Sequence, residues 1–384
     1  MLNFIKSSRY LVTRGALELT NIHGKYWHLI PRLVFGASEV RARTGTFITP
    51  WSAPSGKEFI LPNLEFVNDR FADICDSRAI ELIQLSIRQN KKLAIMWSGG
   101  IDSTVVLSAF IKHLSPIELN NIVIFLSTES IIENPEFYKR FIFNKIRCES
   151  IYNLDVTDNF LNEYILLHGD PGDCIFGPSL GTYENLITDG KHRLSWHNNR
   201  PLIVKGLISS ISVPLDIDFV EGFSHWYVDK ISENLLEVNP PGIESIADWW
   251  WWHYFNFKWA FSIYRPLFRY RTDHSMALST VNIESYITNT FYNTQKFQLW
   301  SYGNLKTHIG TNKKDHKMSA KHYIFDLDQN MDYYTNKTKM SSVPQNNVTT
   351  ELKKLPTCYD QSWKGHNSLE LNEMVIELLE NYKG

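Results

Sequence analysis

At ~150 residues per domain, a chain of 384 residues implies two or three domains, with ample length for a large core. Hydrophobic residues at 43% and charged residues at 21% exclude disorder over most of the chain. The 39 Lys and Arg against 41 Asp and Glu leave a formal net charge of −2, which excludes a broad basic surface built for nucleic acid but not a local patch. Aromatic residues reach 14%, with 12 Trp, and point to large packed cores or aromatic-lined pockets. No apolar run approaches the ~20 residues that cross a bilayer, so no membrane segment is expected. The first residues carry Lys6, Arg9 and Arg14 without an apolar centre and do not read as a secretory signal. Cys75, Cys148, Cys174 and Cys358 lack the close spacing of a zinc knuckle, a redox pair or a disulfide framework, and a reducing cytoplasm is the expected compartment.

In chain order, residues 1–80 carry short β-leaning runs (Lys25 to Leu29, Gly45 to Thr49, Glu58 to Leu61) divided by Gly, Pro and Ser, and a small β-rich N-terminal region is expected. Residues 72–90 read as a helix with Ala79, Leu82, Ile83 and Ile87 on one stripe. Lys92 to Trp97 is a short apolar strand, SGGIDS (98–103) a Gly-rich turn, and 103–114 a helix. Ile122 to Leu126 is a second buried-type strand, 135–146 a second helix and Glu149 to Leu154 a third strand. Alternating strands and helices predict a Rossmann-like parallel sheet with flanking helices. Residues 185–300 are aromatic and mostly helical, with a break at Asn239–Gly242. Residues 300–345 are polar, and 366–382 form a tail helix with Asn367 and Glu370 as a capping box. The divisions are 1–80, 81–345 and 346–384, the last a tail with its helix.

The chemistry concentrates in SGGIDS. A Gly-rich turn between a strand and a helix aims backbone N–H groups and a helix dipole at an anion. Gly99 and Gly100 allow close approach, and Ser98 and Ser103 supply hydroxyl donors. Asp102 would repel phosphates unless a cation such as Mg²⁺ lay between.

SGGIDS after a strand resembles the SGGxDS pyrophosphate loop of the N-type ATP pyrophosphatases, which include the asparagine, GMP, NAD and argininosuccinate synthetases. HGDPGDCIFG (168–177) resembles the GEGxDExFGG segment of asparagine synthetases. By that resemblance Asp102 and Asp173 hold Mg²⁺, Asp170 stands near the activated substrate, and Cys174 replaces an acidic residue. TDHSMALS (272–279) is similar to DRxSMAxS, but the Glu, Arg and PFLD that follow in the family read Val281, Ile283 and Ser285 to Thr288 here. Asn336 to Met340 with Pro344 is similar to the RxKxxF loop, which puts the catalytic Lys on Lys339 and Lys337 in place of the Arg. Such a Lys would stabilise charge on the α-phosphate and leaving pyrophosphate.

The resemblance covers about residues 90–345 and implies an AMP-forming carbon–nitrogen ligase, using ATP and Mg²⁺. A small-molecule carboxylate would be adenylated and then attacked by ammonia or an amine. No N-terminal Cys follows Met1, so no glutaminase activity is expected of this chain. A base-modifying enzyme acting on nucleic acid, and a degenerate synthetase acting as an interaction module, are the alternatives. Trp249 to Trp252 reads as core plus an interface for a partner protein or second copy, with base stacking and membrane anchoring as other readings. The 13 His show no ligand spacing and read as structural, and Lys313, Lys314, Lys317 and Lys321 read as a solvated face or a phosphate contact.

Overall fold

The computed structural model describes residues 62–65, 67–177, 188–210, 217–270, 278–305 and 314–337. The expected N-terminal strands and the expected tail helix lie outside them. In chain order the main elements are α1 (Phe71–Gln89), β1 (Lys92–Met96), α2 (Ile101–His113), β2 (Ile122–Leu126), α3 (Thr128–Glu133), β3 (Arg147–Ser150), α4 (Asp158–Glu163) and β4 (Tyr164–His168). There follow α5 (Gly172–Phe176), α6 (Arg200–Ser210), α7 (Ile217–Val238), α8 (Ile246–Trp252), α9 (Trp259–Arg269), α10 (Thr280–Asn289), α11 (Gln295–Gly303), α12 (Met318–Asp328) and α13 (Met331–Asn336). The described residues divide into two compact units, one from Asp69–Asp170, Arg269–Phe297 and 318–337, the other from those within Pro171–Phe268 and Gln298–Lys317 together with those before Asp69.

The first unit is α/β. Its four strands are all parallel, in the order β3-β2-β1-β4. The apolar run IVIFL is buried at every position of β2, as a strand covered on both faces requires. Leu93, Ala94 and Ile95 are likewise buried side by side in β1. Helices α1, α2 and α12 pack together, and α10 packs on β4 and α4. Arg78 fastens α1 to the end of α10 by donating to the carbonyls of Thr288 and Thr290 at 2.7 and 3.2 Å.

Two local expectations change. Residues 135–146 do not form one helix: a single turn at Pro135–Phe137 passes into a π-type turn over Tyr138–Ile142. The wider turn closes with the Phe143 N–H on the Tyr138 carbonyl, and Asn144 at φ 56° ends it. Trp97 stacks on Phe137 and Tyr138 at 6.1 and 6.2 Å, so tertiary aromatic packing outweighs helical propensity here. The third strand is Arg147–Ser150, because Ser150 caps a following 3₁₀ turn over Ile151–Asn153.

The second unit is helical, and its core is the tryptophan run. Trp249, Trp250, Trp251 and Trp252 are all 0% exposed, so none of their rings is presented for base stacking or a membrane surface. Ser245 and Asp248 form a capping box that starts α8 immediately before them. Three indole N–H groups find acceptors: Trp249 on the Ser232 hydroxyl, Trp251 on the Ser301 hydroxyl, and Trp252 on the Asn234 side-chain oxygen. A π-type turn over His253–Lys258 follows, where His253 bonds the Tyr227 hydroxyl at 2.7 Å. The expected break holds: α7 ends at Val238, Asn239 has φ 46° and Gly242 φ 82°. No helix among the described residues is long and apolar enough to cross a membrane.

Candidate functional site

Strand β1 delivers SGGIDS to the C-terminal edge of the sheet. Gly99 takes φ +73°, a conformation open to glycine, and Gly100 caps α2. The turn is bonded within itself. Ser103 Oγ accepts from the Ser98 N–H at 3.0 Å and donates to the Gly100 carbonyl at 3.2 Å, while the two serine hydroxyls meet at 3.0 Å. The first bond of the α2 ladder runs from the Thr104 N–H to the Gly100 carbonyl, so the N–H groups of Ile101, Asp102 and Ser103 precede it. Those donors and the positive end of a 13-residue helix form an anion-attracting terminus. Below the turn, the Trp97 indole donates to Thr104 Oγ1 at 3.1 Å, and the Tyr292 hydroxyl donates to the Asp102 carbonyl at 3.0 Å.

Three neighbours in the same unit complete this corner. From β4, Gly169 comes so close that a Cβ there would lie 2.5 Å from the Ser103 nitrogen. Asp170 follows it at the same sheet edge, because Met96 and His168 are register partners. His168 is buried and stacks on Tyr286, whose hydroxyl meets Nε2 at 2.8 Å, while Nδ1 lies 3.8 Å from Asp170. From β2, the first turn of α3 packs on the loop: a Cβ on Gly99 would lie 2.2 Å from the Ser130 carbonyl oxygen. Glu133 Oε1 would lie 3.4 Å from a Cβ on Gly100. From α13, Lys337 pairs with Glu133 Oε1 at 3.2 Å and donates to its carbonyl at 2.9 Å. Burial pushes the Lys337 ammonium below its ordinary range, and Glu133 opposes that shift.

The fold thus gathers Ser98, Gly99, Gly100, Asp102, Ser103 and Asp170 at one sheet edge of one unit. Asp173 belongs to the other unit, on α5. There its carboxylate is paired on one oxygen with Lys317 at 2.7 Å and on the other with Lys258 at 3.3 Å. Lys339 lies outside the described residues, as does most of 272–279. Lys317 and Lys321 are buried, not solvated; for Lys317 the pairing with Asp173 supplies the reason. Cys174 meets the Ser262 hydroxyl at 3.4 Å in the core. Of the positions where the resemblance weakens, Val281 is exposed and Ile283 buried on α10, the helix that presents Tyr286 to His168.

Sequence reasoning missed Glu129 and Glu133 and assigned Lys337 only as a replacement. Two acidic residues four apart, Glu129 and Glu133, within the turn and helix that follow the apolar run 122–126 were the available signal, because that strand end neighbours the Gly-rich turn. Among the described residues no group of three or more His, Cys, Asp or Glu side chains gathers as a metal site. Comparison of the chain with protein-family models, curated proteins and solved structures finds no match.

Proposed function

We propose that the sheet unit is a Rossmann-like fold of the pyrophosphate-loop type that binds ATP with Mg²⁺, and that the chain is an AMP-forming carbon–nitrogen ligase resembling the asparagine synthetases. The observation that carries this reading is SGGIDS at the C-terminal end of the inner strand β1, opening a long helix, in a parallel sheet ordered β3-β2-β1-β4. Ligands bind such sheets where strand order reverses, here between β1 and β4. The loop N–H groups and the hydroxyls of Ser98 and Ser103 would hold pyrophosphate.

The donor set fits a hard cation. Asp102 stands in the first turn of α2 beside donors suited to phosphate, and carboxylate plus phosphate oxygens are what Mg²⁺ takes. The ion would neutralise phosphate charge that Asp102 and Glu133 otherwise repel. Asp173, the second metal carboxylate by resemblance, is engaged by Lys258 and Lys317 within its own unit. Asp170 would orient the acceptor, and Lys339, with Lys337 beside the loop, would face the charge that develops on the phosphates. In the reaction, a carboxylate oxygen attacks the α-phosphorus and the bond to pyrophosphate breaks. Ammonia or an amine then attacks the acyl carbon, loses a proton and displaces AMP. The reading places this work in the cytoplasm.

The test is calorimetry and thermal shift with Mg²⁺-ATP on the wild-type chain, Asp102→Asn and Asp102→Ala. A ligand at 100 times its Kd stabilises the native state by about 2.7 kcal/mol, so millimolar ATP should raise the wild-type midpoint and neither variant's. Folded wild-type protein that does not bind would overturn the reading. The lysine-engaged Asp173 favours one alternative, a degenerate synthetase, whose mark would be ATP binding without AMP formation in a screen of carboxylates and amines.

A further inference from the structure

The end of β2 holds a carboxylate that the foregoing reading leaves without a task. Glu129 lies on the first turn of α3, shortly after β2 ends at Leu126. Its side chain is buried, with the residue 5% exposed. Burial pushes its carboxyl above the ordinary range, and the Ser127 hydroxyl and its own N–H oppose that shift. Oxygen Oε1 is shut off from solvent and meets no hydrogen-bond donor among the described residues. A buried carboxylate oxygen without a donor is costly, and such an atom asks for an explanation.

Its position supplies one. Phe125 and Met96 are register partners, so β2 and β1 end level and α3 starts beside SGGIDS. The contact is direct, because the Ser130 carbonyl is what a Cβ on Gly99 would strike. Glu133 reaches Gly100, and Glu129, four residues earlier, lies on the same face of the helix. The loop and its helix terminus suit phosphate, whereas a carboxylate repels phosphate and accepts from neutral donors. A ribose offers two adjacent hydroxyl donors and no charge. An acid at the end of the strand next to a Gly-rich phosphate turn is the arrangement that reads a ribose in dinucleotide-binding sheets.

We infer that Glu129 accepts the ribose hydroxyls of the nucleotide whose phosphates SGGIDS holds, making this corner a ribonucleotide site and not a bare pyrophosphate site. The inference rests on the ATP-binding reading and sharpens it.

The experiment is calorimetry on the full chain with three Mg²⁺ complexes: ATP, 2′,3′-dideoxy-ATP and pyrophosphate. Wild type should bind ATP about tenfold or more tightly than the dideoxy compound, the size of one lost charge-assisted hydrogen bond. Glu129→Gln, which keeps the side chain's size, should weaken ATP about tenfold and leave the dideoxy compound and pyrophosphate within about twofold. Wild type that binds ATP and dideoxy-ATP equally overturns the inference while sparing ATP binding, and that comparison needs no variant. A Glu129→Gln protein that loses pyrophosphate as much as ATP also overturns it, because Glu129 would then be supporting the loop. Binding of none of the three by folded wild type sinks the parent reading instead.

Discussion

Gly99→Ala tests the loop through backbone geometry alone. At φ +73° an alanine costs about 1 kcal/mol more than glycine, since its Cβ crowds the carbonyl. The larger problem is where that Cβ would go: 2.2 Å from the Ser130 carbonyl oxygen, 2.9 Å from Glu133 Cβ and 3.1 Å from the Ser130 carbonyl carbon. Two of those atoms are backbone of α3, so no rotamer change relieves the overlap, and either the loop or the first turn of α3 must move. Added to the dihedral cost, this places the expected loss at about 3–5 kcal/mol, in the range of overpacking and strain at a fixed backbone. Gly100→Ala is the internal control. Its φ is −72° and its nearest neighbours are the Ser98 hydroxyl at 3.3 Å and Glu133 Oε1 at 3.4 Å, both movable side-chain atoms, so about 1 kcal/mol or less is expected. Urea unfolding gives the two free-energy changes, and hydrogen exchange at the amides of α3 shows whether that helix has shifted. A Gly99→Ala protein within about 1 kcal/mol of wild type, with α3 exchange unchanged, would refute the packing described here.

Two further outcomes follow from buried titratable groups. Burial, and secondarily the charge of Lys258, lowers the His253 pKa from 6.5 to about 3, so in the folded helical unit it is neutral while the unfolded chain takes up a proton below pH 6.5. The unfolded state then binds more protons, and stability present above pH 6.5 is lost as pH falls, by about 2 kcal/mol at pH 5. Unfolding at a series of pH values should show that slope in wild type and a flatter one in His253→Gln; equal slopes would remove His253 as the cause. Lys337→Ala should cost about 3–5 kcal/mol, because the Glu133 carboxylate stays buried without that ammonium, and Glu133→Gln with Lys337→Gln together should cost less than the single lysine change. A double-mutant cycle on urea midpoints measures the coupling, and a coupling near zero would mean the pair is incidental.

The sequence was most legible where the determinants were local. Lys92 to Ser103 shows its apolar run, its glycines and its helix start within a dozen residues, and β1, the turn and α2 stand there. The same holds for β2, whose five apolar residues allow no exposed face. Residues 135–146 were misread because their conformation answers to Trp97, which lies far outside any helical window. The Glu133–Lys337 pair spans 204 residues and leaves no local pattern, and lysines such as Lys317 look solvated until a buried carboxylate is placed against them. For the tryptophan run the expectation of a core was sound, and its complete burial decides against presented rings.

The unit that carries the sheet is assembled from chain segments made at very different times. Arg78 on α1 reaches carbonyls at Thr288 and Thr290, and the Tyr323 hydroxyl of α12 donates to Asp76 on α1, 247 residues away. At roughly 5–20 residues per second, a ribosome that has released α1 needs about 12–50 s more to deliver α12. During that interval α1 and α2 exist without the helix that packs on both of them, so the surface they share waits for its cover. Vectorial synthesis therefore leaves that surface open until α12 arrives, and the glycine turn, made in the first third of the chain, gains its Tyr292 contact only 190 residues later.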